Sequence, residues 1–346
     1  MTGRRASGRE REPWWLELST DELLDVRFCD LHLSLAGTAL EERLNRLGRE
    51  LQRAGLVFRP YAWLSTDWFT PDGLTGFAIP FYLAHPRLVR LERKMMLEVE
   101  GGTTDWCMKL LRHETAHAID NAYRLRRRKG WREIFGLAST PYTEDYRPTP
   151  ATRNYVQNLD YWYSQSHPIE DFAETFAVWL NPGSRWRSKY RGWPALRKLE
   201  YVRGLMKEIG STRAPVRTRQ FDEDLPSTRS TLREHYAERQ RCYQPHTPSP
   251  YDPALHRVFA DTTSELPSQA ASTFLVRWRR LLAQRVASAT GQDRYLIEQI
   301  VNELIPRCRS LSLRVEDTER AMVEVAALLA VLSYGMTRGR RRSFSR

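Results

Sequence analysis

Cysteine is scarce in this chain: Cys29, Cys107, Cys242 and Cys308 are the four in 346 residues, far apart and with no CxxC pair. That spacing speaks against a disulfide framework and against a structural zinc ribbon, leaving reduced, packed thiols. The first thirty residues hold no apolar stretch of the kind a secretory signal needs. The longest apolar run, over 321–336, carries Glu324 and is too short to cross a bilayer comfortably. The expectation is a cytoplasmic protein with no membrane contact. Lysine is scarce too, so arginine supplies nearly all the positive charge behind a net +12 and a pI of about 9.7. Such usage can follow from genome composition alone. The two basic clusters, Arg124 with Arg126, Arg127, Arg128 and Lys129, and Arg338 with Arg340, Arg341 and Arg342, read as a solvated helix end and a loose tail. With no zinc-finger or helix-turn-helix signature, nucleic acid is not the expected partner. Internal repeats are lacking, and the oligomeric state stays open.

What is present is core material. The chain is 41% hydrophobic, with 11 Trp, 15 Tyr and 12 Phe, which excludes global disorder. Residues 1–13 read as a disordered polar lead. Residues 26–35 (VRFCDLHLSL) alternate as a half-buried strand does. Thr38 can cap a helix over 39–54, whose Leu40, Leu44, Leu47 and Leu51 share a face. Further strands are expected over 56–64 and 77–84; Pro80 places the second at an exposed sheet edge, where an extended peptide could add. Helices are expected over 86–96, 104–128, 168–180 and 194–209, the last ending on Gly210 as a left-handed cap. Residues 211–231, polar and rich in Arg, Thr, Asp and Pro, read as a linker. A helical texture follows: 232–243, 269–290, 293–307 and 315–334. The organisation is therefore an α+β domain over 14–210, with a small edge-exposed sheet and an active-site helix, a mostly α-helical domain over 232–336, and a basic tail over 337–346.

The segment His113-Glu114-Thr115-Ala116-His117 lies inside a helical pattern. Residues four apart on a helix stand on one side, so His113 and His117 can offer two imidazole nitrogens to one cation, about 2.0–2.1 Å from each. Glu114 projects beside them as a base for a metal-activated water. Apolar residues Leu110, Leu111, Ala118 and Ile119 flank the motif; burying two histidines and a glutamate among them is costly unless a metal is held. A third ligand is sought in Ser166-His167-Pro168-Ile169-Glu170-Asp171-Phe172-Ala173-Glu174. Pro168 suits the first helical position, and Glu170 and Glu174 then share a face. Glu170 is the economical third ligand and Glu174 the acid that orients an imidazole; Asp120, seven residues after His113, is a second such acid. His167 competes with Glu170 as ligand from the helix cap.

HETAHAID followed by HPIEDFAETFA resembles a family of bacterial zinc-binding metallopeptidases, glutamate-ligand zincins of the thermolysin-like type, and is similar more distantly to the anthrax lethal factor catalytic domain. The upstream FAIPFYLAHPRLVRLE fits the same bacterial group, so the resemblance spans about 77–180. It implies a zincin-like fold, Zn2+ held by His113, His117 and Glu170, Glu114 as general base, and Glu174 in support. It also implies a catalytic role for Tyr163, which stands seven positions before Glu170. The spacer from His117 to Glu170 is longer than in thermolysin and the NExxSD motif is missing, so thermolysin's substrate pocket does not carry over. The activity implied is zinc metallopeptidase, with a peptide or protein as substrate. Two other readings stand beside it: a metal-holding interaction module without catalysis, and a nucleic-acid-associated protease tethered by its Arg-rich segments.

Overall fold

The computed structural model describes residues 12–96, 99–142, 149, 152–159, 162–242, 252–260 and 269–337. Nearly all of the expected lead and tail lies outside them. Helix makes up 61% of the structure, and among the described residues sheet is confined to two small pairs of strands, so the expected α+β character holds with helix strongly dominant. No helix among the described residues is long and apolar enough to cross a membrane.

The centre of the fold is the helix Thr104–Tyr123. Thr103 Oγ1 accepts the Trp106 N–H at its start, satisfying one of the amides that a helix N-terminus leaves unpaired. From Cys107 onward only Lys109 and His117 escape full burial. A helix so enclosed needs neighbours on every side, and the helices Ala39–Arg53 and Pro168–Leu180 and the strand Gly76–Pro80 supply them. Against Ala39–Arg53, Arg112 donates twice to the buried Glu50 carboxylate, at 2.8 and 2.9 Å. The expected continuation to residue 128 fails. Arg124 adopts φ 53° and ends the helix in the left-handed region, and Leu125–Arg127 form one short 3-10 turn.

The strands Tyr61–Ser65 and Gly76–Pro80 pair in parallel, with Trp63 opposite Ala78. They are shorter than expected: 56–60 is irregular, and after Pro80 the chain turns into a 3-10 segment, Phe81–Ala84. The expectation of an exposed edge is corrected. All five residues of Gly76–Pro80 are buried, and the Ala78 N–H goes to the Phe69 carbonyl at 2.8 Å, so that backbone is not offered to a peptide. The crossover over 66–75 contains no helix; Asn121 of the central helix holds it through the Pro71 and Leu74 carbonyls, each at 2.9 Å. No strand forms over 26–35. Phe28 and Leu31 are buried instead from a 3-10 turn, Phe28–Asp30, whose Phe28 and Cys29 amides bond to the Ser230 and Thr228 carbonyls. One-sided burial has produced the alternation without a ladder.

Helices Pro86–Met96 and Pro168–Leu180 appear at the expected bounds. Ala195–Ile209 begins one residue after the expected start, and Gly210 is right-handed (φ −53°), not the left-handed cap expected. Glycine is required there for space, because a Cβ would lie 2.6 Å from the Gly55 carbonyl oxygen. The 211–231 segment, expected as a linker, is laid along the first strand. Tyr61, Trp63 and Ser65 donate to the carbonyls of Gln220, Asp222 and Glu223 at 2.7, 2.9 and 2.6 Å, and Thr75 donates to that of Thr218. The helix Leu232–Cys242 then packs on Pro86–Met96, with Tyr236 buried and Arg239 on Glu92 at 2.9 Å. Beyond it, Ala271–Thr290, Arg294–Ser310 and Thr318–Thr337 pack together as three helices, with Gln269–Ala270 and Arg314–Val315 paired antiparallel beside them.

Candidate metal centre

His113 and His117 point from one face of the central helix toward the first turn of Pro168–Leu180. Their Nε2 atoms are 3.0 Å apart, and Glu170 Oε2 lies 3.1 Å from the first and 3.4 Å from the second. Ligands held about 2.0–2.1 Å from a tetrahedral zinc are separated by roughly 3.3–3.4 Å, so this triangle has the size of one tetrahedral face. Among the described residues these three are the group of His, Cys, Asp or Glu side chains that could hold a metal ion. Glu170 Oε2 is buried without a hydrogen-bond partner, as a carboxylate oxygen reserved for a cation would be.

The charge balance points the same way. Burial opposes a proton on His113, but the Glu170 and Glu174 carboxylates raise its pKa well above the ordinary value. Burial likewise pushes the Glu170 carboxyl up, and the positive charge of His117 holds it well below the usual carboxylate range.

Glu174, one turn beyond Glu170, accepts from His113 Nδ1 at 2.8 Å and so leaves Nε2 facing the triangle. Its oxygens are further fixed by Asn158 Nδ2 at 2.9 Å and the Leu159 amide at 2.8 Å. Glu114 is buried beside the ligands, and Thr70 Oγ1 donates to its Oε2 at 2.8 Å. The Tyr163 ring lies 5.7 Å from that of His113, at the start of a 3-10 turn. Burial and the neighbouring carboxylates raise its pKa well above the ordinary phenol value, so the hydroxyl keeps its proton.

Two sequence expectations change. Asp120 does not orient an imidazole: its oxygens accept from the Arg126 amide at 2.7 Å and from Arg126 Nε at 2.5 Å, closing the end of the central helix. His167 is committed elsewhere, its Nδ1 accepting the Ile169 amide at 3.2 Å as the helix cap and its Nε2 donating to the Thr140 carbonyl at 2.6 Å. Three contributors escaped the sequence. Thr70, Tyr142 and Asn158 lie 44, 28 and 16 positions from the groups they touch, on irregular chain where no periodicity could single them out. Tyr142 donates to Glu170 Oε1 at 2.8 Å.

Comparison of the chain with protein-family models, curated proteins and solved structures found no match.

Proposed function

We propose that this chain is a zinc-dependent hydrolase of peptide or amide bonds with a zincin-like catalytic arrangement. The observation that carries the proposal is the convergence of His113 Nε2, His117 Nε2 and Glu170 Oε2 with Glu114 alongside. Two nitrogens and one carboxylate oxygen suit Zn2+ and would leave a fourth position for water. When bound, the metal supplies Lewis-acid polarisation of a carbonyl and acidification of water. The protein's share is positional. Glu174 sets the His113 tautomer, and Thr70 holds one oxygen of Glu114, the carboxylate that would take the proton of a metal-activated water. Tyr163, kept neutral, can donate a hydrogen bond to the oxyanion that forms as the carbonyl is attacked.

Glu114→Gln tests this directly. It should leave one zinc per chain and lower hydrolysis of a peptide library by about 10²–10⁴-fold, because a base is lost while every ligand remains. Unchanged hydrolysis in the variant, or a wild-type chain that takes up no stoichiometric zinc, would sink the proposal.

A further inference from the structure

We propose that Tyr142 is a positioning residue of the metal centre, capping Glu170 Oε1 so that Glu170 meets the cation through Oε2 alone. The inference rests on the metal reading of His113, His117 and Glu170 given above.

The two oxygens of Glu170 have opposite surroundings. Oε1 accepts the Tyr142 hydroxyl at 2.8 Å, whereas Oε2 is buried without a hydrogen-bond partner and stands 3.1 and 3.4 Å from the two imidazole Nε2 atoms. A carboxylate free to rotate can turn both oxygens to a cation and take up two coordination positions. One held at its far oxygen cannot, and the position meant for water or substrate stays open. The phenol O–H is the donor here and the carboxylate oxygen the acceptor.

Tyr142 is itself held in place. Its ring stacks on that of His167, with centroids 3.9 Å apart and planes 13° from parallel. Both nitrogens of His167 are engaged, one by the Ile169 amide and one by the Thr140 carbonyl. The residues just before Tyr142 and the first turn of the Glu170 helix therefore form one unit, and the tyrosine hydroxyl is its contact with the ligand. His167, a rival for the third ligand position in the sequence, thereby gains a definite role, since it aims the residue that aims the ligand. The Tyr142 hydroxyl is spent on Glu170.

The test uses the full-length chain stripped of metal by a chelator. Zinc affinity is read by competition with a chromophoric chelator, and coordination by the visible absorption of the Co2+-substituted protein. Tyr142→Phe removes the hydroxyl and keeps the stacked ring. The expected result is zinc affinity lowered by about 10–100-fold and a weaker Co2+ visible band, the mark of a higher coordination number as Glu170 turns both oxygens inward. The metal-free thermal midpoint should stay at the wild-type value. Wild-type zinc affinity with an unaltered Co2+ spectrum in Tyr142→Phe would overturn the inference and leave the metal reading standing. A lowered metal-free midpoint with an unaltered spectrum would also overturn it, marking the tyrosine as a structural tether. A wild-type chain that binds neither metal would remove the reading and the inference together.

Discussion

Asp120 is fully buried, and both of its oxygens are held by Arg126, which also donates to Asp72 at 2.9 Å and to Asn121 Oδ1 at 2.8 Å. One guanidinium thus ties the end of the central helix to the 66–75 crossover, the segment that presents Thr70 to Glu114. Burial pushes the Asp120 carboxyl up and the Arg126 charge opposes it. Removing the cation leaves a buried carboxylate with no counter-charge, a change that typically costs 3–5 kcal/mol. Since the Arg126 side chain is 20% exposed, the lower end applies. Arg126→Met should lower unfolding stability by about 3 kcal/mol in urea titrations, and Asp120→Asn, which buries no charge, by clearly less. At this scale the sequence was most legible where chemistry is dense in a short window: His113, His117, Glu170 and Glu174 lie within reach of one another. Asp120 was misjudged because helical spacing shows which side a carboxylate leaves from, whereas the residue that reaches it returns through the left-handed Arg124.

Among the elements, the helices with strong local signals were legible, as Pro168 at the first position of Pro168–Leu180 illustrates. The strands were legible in part: Tyr61–Ser65 and Gly76–Pro80 form where two were expected, but 26–35 makes none, because alternation records one-sided burial whether or not a partner strand is present. The helix Leu232–Cys242 shows what such burial demands. His235 is boxed edge-on by Phe28 and Phe81, at ring distances of 5.3 and 5.7 Å. Burial, with the Arg239 charge adding to it, pushes its pKa from 6.5 down to about 3. The unfolded imidazole takes its proton near pH 6.5 while the folded one refuses it until near pH 3, so across this window the unfolded state binds more protons. Stability supplied by the neutral ring is therefore complete above pH 6.5 and is lost as pH falls toward 3, by up to ~5 kcal/mol. His235→Phe should flatten the difference in unfolding free energy between pH 7 and pH 4 relative to wild type. An equal pH slope in the two proteins would show that His235 is already charged, or already exposed, in the native state.

For the whole molecule, composition gives no hint of how residues 211–231 are held. Residues 211–231 carry the polar, proline-bearing texture of a linker, yet their carbonyls are bound by Tyr61, Trp63, Ser65 and Thr75, and the Val216 amide donates to the Ala122 carbonyl at the end of the central helix. Hydrogen bonds from distant aromatic side chains leave no trace in local composition, which is why the segment read as loose. Being bound, it belongs to the same unit as the metal centre, since the strand it covers leads directly into the crossover that presents Thr70. Protease access requires local opening, and opening here would break several hydrogen bonds at once. Limited trypsin digestion should therefore leave the bonds after Arg217 and Arg219 intact while cutting arginine bonds elsewhere, although both residues are exposed. Zinc should protect the segment further, because a ligand bound only by the native state raises the cost of every opening that dismantles its site, by ~4 kcal/mol at a thousandfold excess over Kd. Mass spectrometry of the first fragments decides the matter: early termini at Arg217 or Arg219, at the same rate with and without zinc, would restore the linker and separate this segment from the site.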